Sequence, residues 1–330
     1  MLVAAISPIV VSSANAAAPV FKSRESTVPT GYTVPLKKAK LSLAYLNPVG
    51  GNEFLDAMGA AMKKAVTKLG GTLTILDGKG DVNTQVSQLE QLTAQKVDGI
   101  FVFALDPNAM KPALAKAHAA GIKLISIDEN FTDNNIGVYD SQILQRRDEA
   151  AYVGAKQMAS LIKSGSSFAT IDFAIAVPSI VYSITQAKKW ATGFGLNWVG
   201  NVSNPSDDIA GGTTAGTQIL SKYPSIKGII AYNDPSGIGA NAAAKSANVS
   251  GLAFGGQNGG SDARAGIAAG TLSYTIQLDA PSMGKFAAWG LYDAKAGVKI
   301  PKTVKAKPPV LVTSANISSV PSWAQELAAL

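Results

Sequence analysis

Apolar runs that end in polar side chains recur through this chain and alternate with stretches of helical spacing. Ile122-Lys123-Leu124-Ile125-Ser126-Ile127 runs into Asp128-Glu129, and Gly228-Ile229-Ile230-Ala231-Tyr232 runs into Asn233-Asp234. Leu43-Ala44-Tyr45-Leu46 precedes Asn47-Pro48, and Leu252-Ala253-Phe254 precedes Gln257-Asn258. After the first of these, in chain order, Phe54, Met58, Met62, Val66 and Leu69 mark one helical face, which Gly70-Gly71 stops. Strand–helix units with short connections predict parallel sheets covered by helices. Such sheets hold ligands in the crevice outside the carboxyl ends of their strands. Polar strand ends on both sides of the chain's midpoint therefore predict an α/β molecule of two doubly wound lobes facing one polar ligand.

The chain has 330 residues, enough for two cores, and 47% hydrophobic with 15% charged residues fits well-packed globular domains. Its net charge is +7, but the lysines are scattered over positions 37–40, 63–64, 188–189 and 302–307. That distribution is a basic solvated surface, with anionic-surface or nucleic-acid binding the weaker reading. The chain has no cysteine, which excludes disulfides, thiolate metal sites and a Cys nucleophile. Residues 2–11 are apolar apart from Ser7, and small residues follow as Ser12-Ser13-Ala14-Asn15-Ala16-Ala17-Ala18. We expect residues 1–18 to be a cleaved export signal and 19–40 an extended lead-in. A further strand is expected at Ile136–Tyr139.

Catalytic groups are scarce. His118 is the single histidine, and no G-x-S-x-G elbow or Walker A loop is present. Gly237-Ile238-Gly239-Ala240-Asn241-Ala242 fits G-x-G-x-x-A, yet the next strand lacks the acidic residue a ribose needs, so a tight turn opening a helix is expected. Asp77, Asp81, Asn83 and Gln85 are spaced like calcium ligands, but Asp81 or Asn83 is also placed to cap the following helix. No catalytic residue, metal or cofactor is assigned, and the chain is not expected to be an enzyme. Polar strand ends also serve turns and helix caps. Carboxylates accept hydrogen bonds while Asn and Gln amides both donate and accept, the combination that vicinal hydroxyls require.

The ordered motifs resemble the periplasmic sugar-binding proteins of the ribose-binding type over about Leu41 to Val312. Their carriers are Asn47-Pro48 with Gly51-Asn52-Glu53-Phe54, Asp98-Gly99-Ile100, Leu105-Asp106-Pro107, Ala120-Gly121-Ile122, Ile127-Asp128, Tyr232-Asn233-Asp234, Phe254-Gly255-Gly256-Gln257-Asn258 and Ala269-Gly270-Thr271-Leu272. The resemblance implies a receptor for an ABC importer that closes two lobes on a sugar, with residues 41–141 plus 278–305 in one lobe and 142–277 plus 306–330 in the other. It implies ligand contacts from Asp128 and Asn233. Glu129 stands where the family often has Arg, Asn52 and Glu53 where it uses aromatic rings, and Asp207 at another aromatic position. Lys188 matches a family Arg, Asn258 a family Asp, and Gln277 the hinge-region Gln. Tyr45, Tyr139, Tyr182 or Trp190 are the rings available to replace the missing ones. Glu53, Asp128, Glu129 and Asp207 predict an acidic pocket favouring a polyol, an amino sugar or a cationic solute. The implied partners are the small-molecule ligand, the importer permease and a chemoreceptor, with the receptor a periplasmic monomer that binds no nucleic acid. The alternatives are the effector domain of a repressor and a nicotinamide-dependent oxidoreductase.

Overall fold

Most helices begin where a short polar side chain caps their first turn. In the computed structural model, which describes residues 19–22, 26–128 and 137–330, β1 (Ser42–Asn47) leads to α1 (Glu53–Lys68), whose N-cap Asn52 accepts the Phe54 and Leu55 amides. β2 (Thr72–Asp77), α2 (Val82–Gln95), β3 (Gly99–Val102), α3 (Pro107–Ala119), β4 (Lys123–Ile127) and β5 (Ser141–Leu144) follow. Asp81 caps α2, taking the Thr84 amide at 2.6 Å, which gives that carboxylate a structural task. α4 (Arg147–Leu161) opens the second lobe, followed by β6 (Ser167–Phe173), α5 (Pro178–Gly193), β7 (Asn197–Asn204), α6 (Ile209–Lys222), β8 (Gly228–Ala231), α7 (Asp234–Ser246), β9 (Ala253–Asn258), α8 (Ser261–Ala268) and β10 (Tyr274–Gln277). α9 (Ala280–Lys295) and β11 (Thr303–Lys305) return to the first lobe, β12 (Val310–Val312) lies in the second, and α10 (Trp323–Ala329) ends the chain.

The two sheets share one layout. Their strand orders are β11-β5-β4-β3-β1-β2 and β12-β10-β9-β8-β6-β7, parallel throughout except for the antiparallel β10–β12 pair. In both, the order reverses beside the first strand, at β1/β3 and at β6/β8, where ligands of such sheets sit. The first sheet packs Tyr45 and Phe101 towards Met58, Met62, Met283 and Leu291 of α1 and α9. Its other face buries Ala44, Leu46, Ile100 and Val102 against Leu89, Met110 and Leu114. A Cβ at Gly284 would lie 2.0 Å from the Met58 carbonyl, so the close approach of α9 to α1 requires glycine there.

Several expectations need correction. The strand expected at 136–139 is β5 at 141–144, where Ser141, Gln142 and Ile143 pair with β4; its expected start, Ile136, lies outside the described residues. The crossing therefore falls after Leu144 rather than at 141. The tail 306–330 does not stay with the second lobe, because α10 packs on α1 and α9, with Trp323 5.8 Å from Phe54. Gly237 and Gly239 lie inside α7, not in a turn. A Cβ at Gly239 would sit 2.3 Å from the Ile209 carbonyl, so this glycine lets α7 approach α6. The expected export signal, 1–18, lies outside the described residues. Within the lead-in, Thr30 bridges Lys305, and the Gly31 amide donates to the Lys305 carbonyl at 3.0 Å.

Candidate functional site

The two switch points face each other across a cleft. Pro48, Val49, Phe103 and Leu105 come from the ends of β1 and β3, and Phe173, Tyr232 and Asn233 from the ends of β6 and β8. With Asn52, Phe54, Arg147, Asp207 and Asn258 they enclose an inner cavity of about 70 Å³. An outer chamber of about 420 Å³ continues from it past Glu53, Asp208, Asp262 and Trp323. Asn52, Phe54, Asp207, Asn233 and Asn258 line both spaces. The aromatic rings of the inner cavity are Phe54, Phe103, Phe173 and Tyr232, with Phe173 stacked on Tyr232 at 5.8 Å, and Trp323 adds a ring to the outer chamber. The expected rings lie elsewhere: Tyr45 and Tyr139 are core residues, and Trp190 joins Phe21 and Tyr152 on the second lobe.

Asp207 is the polar centre on the second-lobe side. Its carboxylate accepts the Tyr232 hydroxyl at 2.5 Å, the Asn233 amide at 2.7 Å and, across the cleft, the Asn52 amide at 2.9 Å. Burial pushes its carboxyl above the usual carboxylate range, opposed by those three donors. Asn233 also caps α7 through the Ser236 amide at 2.9 Å, and Asn52 caps α1, so each amide is held by its helix while its NH2 points to Asp207.

Asp128 is the polar centre on the first-lobe side, at the end of β4. It is buried and bonded to Arg147, whose Nε donates to Oδ1 at 3.0 Å and to Oδ2 at 3.1 Å, with a further Nη2 contact. Burial raises its carboxyl, and the guanidinium opposes that. Arg147 is the first residue of α4, so this pair also joins the lobes. Arg147 lines the inner cavity, whereas Asp128 sits behind it. Asp128 and Asp207 both hold left-handed backbone, with φ of 57° and 58°, a conformation that costs a residue with a Cβ and is tolerated best by Asn and Asp.

The other expected contacts are placed differently. Glu53 accepts the Ser261 amide at 2.8 Å and its hydroxyl at 2.9 Å, fastening α1 to the first turn of α8 at the chamber's edge. Gln277 lies outside the lining: its Oε1 accepts from Arg264 and its Nε2 donates to the Pro321 carbonyl, both at 2.9 Å. Lys188 is turned away, its ammonium 3.6 Å from the ring centre of Trp198, because it lies ten residues along α5 from the cleft end at Pro178. Glu129 lies outside the described residues. Arg147 compensates the charge of Asp128 and Ser261 donates to Glu53, while Asp208, Asp234 and Asp262 add carboxyl groups to the outer chamber. Sequence reasoning missed Arg147, Phe103, Phe173 and Tyr232. Three of these follow the strand-end rule. A cation at the start of a helix opposes the helix dipole and signals a carboxylate partner.

The family model described as the periplasmic binding protein domain matches residues 43–299. The chain belongs to this family. It is a family of substrate-binding receptors, not of enzymes. The ribose import binding protein of Bacillus subtilis is 26% identical over 273 residues, covering 81% of this chain and 84% of that protein. The D-apiose import binding protein of Actinobacillus succinogenes is 26% identical over 238 residues, covering 69% and 73%. A solute-binding protein of Agrobacterium vitis with bound D-fucose has the same fold, with a TM-score of 0.78 at 23% identity over 85% of this chain and 97% of that one. One from Burkholderia graminis, in complex with D-arabinose, gives a TM-score of 0.79 at 21% identity over 86% and 99%.

Proposed function

We propose that this receptor captures a neutral sugar or polyol by closing its two lobes and delivers it to the permease of an ABC importer. The observation that carries this reading is the pair of reciprocal bonds across the cleft: Asn52 of the first lobe on Asp207 of the second, and Arg147 of the second on Asp128 of the first. Ligand groups that insert into this framework contact both lobes at once, and only such differential contact shifts an open–closed equilibrium. Sugar hydroxyls match it, because Asp207 accepts, Asn52, Asn233 and Asn258 both accept and donate, and Arg147 donates. Phe54, Phe103, Phe173 and Tyr232 supply apolar faces for the ring's C–H groups. Arg147 holds the Asp128 carboxylate and three neutral donors hold Asp207, an arrangement that exchanges with hydroxyls, and the relatives' sugars belong to the same class.

The finer parts of the proposal are export to the periplasm with removal of residues 1–18, action as a monomer, and a chemoreceptor as a second partner of the closed form. The repressor and oxidoreductase readings have no support in the family, and the glycines that prompted the latter are packing residues of α7. A thermal-unfolding screen of pentoses, hexoses, polyols and amines tests the ligand class. A true ligand at a hundred times its Kd stabilises the protein by about 2.7 kcal/mol. Stabilisation by amines alone, or by no solute, would refute the proposal.

A further inference from the structure

A second cavity lies on the outside of the first lobe, remote from the cleft. It measures about 360 Å³ and is lined by Val34, Pro35, Lys38, Lys68, Lys285 and Trp289 among others, from the lead-in, α1 and α9. Beside it the lead-in presents Leu36 fully exposed and Val34 60% exposed, followed directly by Lys37, Lys38 and Lys40. Lys64 and Lys68 stand one turn apart on α1, their ammonium groups on the Leu327 and Leu330 carbonyls. The Lys285 ammonium lies 5.1 Å from the ring centre of half-buried Trp289. The carboxylates that act on Lys285 are Asp279, which caps α9, and Glu326 of α10, and Lys307 and Arg264 also offset the Glu326 charge. Protruding aliphatic side chains, an interfacial tryptophan and six lysines thus share one face of a chain with net charge +7.

We propose that this face docks the receptor on an anionic phospholipid bilayer. Lysines near a negative surface each add attraction that salt screens, and their alkyl stems lie along apolar surface while the ammonium stays at headgroup level. Leu36 and Val34 enter the boundary between headgroups and acyl chains, where Trp289 also belongs. A nucleic-acid duplex matches the charge but offers nothing to bury two aliphatic side chains and a groove, which is why a bilayer is the occupant assigned. Because the face lies outside the cleft, a docked receptor keeps its ligand site free. Docking then confines the receptor to the surface that holds the permease.

The test is co-sedimentation of the full chain with phosphatidylcholine vesicles, with and without phosphatidylglycerol, at low and high salt. The proposal expects binding to the anionic vesicles, lost at high salt. K37E/K38E/K40E should weaken it by at least about tenfold, and Leu36→Asp should weaken it further at fixed salt. These positions are exposed, so thermal midpoint and sugar affinity stay unchanged in both variants. Equal binding to neutral and anionic vesicles, wild-type binding by the triple variant, or retention of duplex DNA without vesicle binding would each overturn it.

Discussion

Asp128 and Asp207 are carboxylates in loops of opposite lobes, after β4 and after β7, and each is satisfied by a different chemistry. Asp128 is buried and Asp207 half-buried, both have left-handed backbone, and both have carboxyls raised by burial. Asp128 faces a full cation that reaches over from α4, whereas Asp207 faces three neutral donors, two from its own lobe. The difference teaches where the cleft is rigid and where it is open to exchange. A buried ion pair cannot lose one member without stranding the other's charge. Neutral hydrogen bonds on a carboxylate can be traded for ligand hydroxyls at little net cost. We therefore propose that the Asp128–Arg147 pair positions the site and that Asp207 reads the ligand.

The largest effect should come from Arg147→Met, which strands the Asp128 carboxylate and costs about 3–5 kcal/mol of stability in urea unfolding. Asp128→Asn combined with Arg147→Met should recover most of that loss, and equal losses in single and double variants would break the comparison. Asp207→Asn removes the charge but keeps one acceptor oxygen for three donors, and should cost about 1–3 kcal/mol.

Asp234 sharpens the comparison through pH. It is buried at the start of α7, accepts the Gly259 amide at 2.7 Å and is pushed up to about 7 by burial. Between its unfolded value near 3.8 and that raised value, the folded state holds a proton that the unfolded state has lost. Stability from this group is therefore complete at acid pH and falls as pH rises towards neutrality. Denaturation across that window should show a negative slope that Asp234→Asn flattens. The smallest effect should be that of Lys188→Ala, which removes a cation–π contact at an exposed position worth about 0.5–1 kcal/mol. Sugar affinity should not change, and a measured change would return Lys188 to the cleft.

The fold was legible because apolar strands, helical faces and capping residues agreed at each junction. The crossings were harder to read: β5 is only four residues long, and α10 is placed by Trp323 packing on Phe54 and donating to the Leu278 carbonyl at 2.8 Å, contacts remote in sequence. Asn233 and Asn258 were legible as polar ends of strands that face the cleft, whereas Asn52 and Asp207 came from the resemblance to the ribose-type receptors. Lys188 and Gln277 came from positional matching, which ignores helix phase in the first case and the claim of Arg264 and Pro321 in the second. Arg147 was hidden because its partner lies nineteen residues back in the chain and across the cleft.

The central claim is that a neutral sugar or polyol is held between Arg147 and Asp207, and calorimetric titration of neutral sugars, polyols and amines into the wild-type chain tests it most directly. The account predicts one-to-one binding of at least one neutral solute and no binding of amines, with affinity reduced in the Asp207→Asn variant. Binding of amines with no neutral ligand, or a neutral ligand held equally by the wild type and Asp207→Asn, would contradict it.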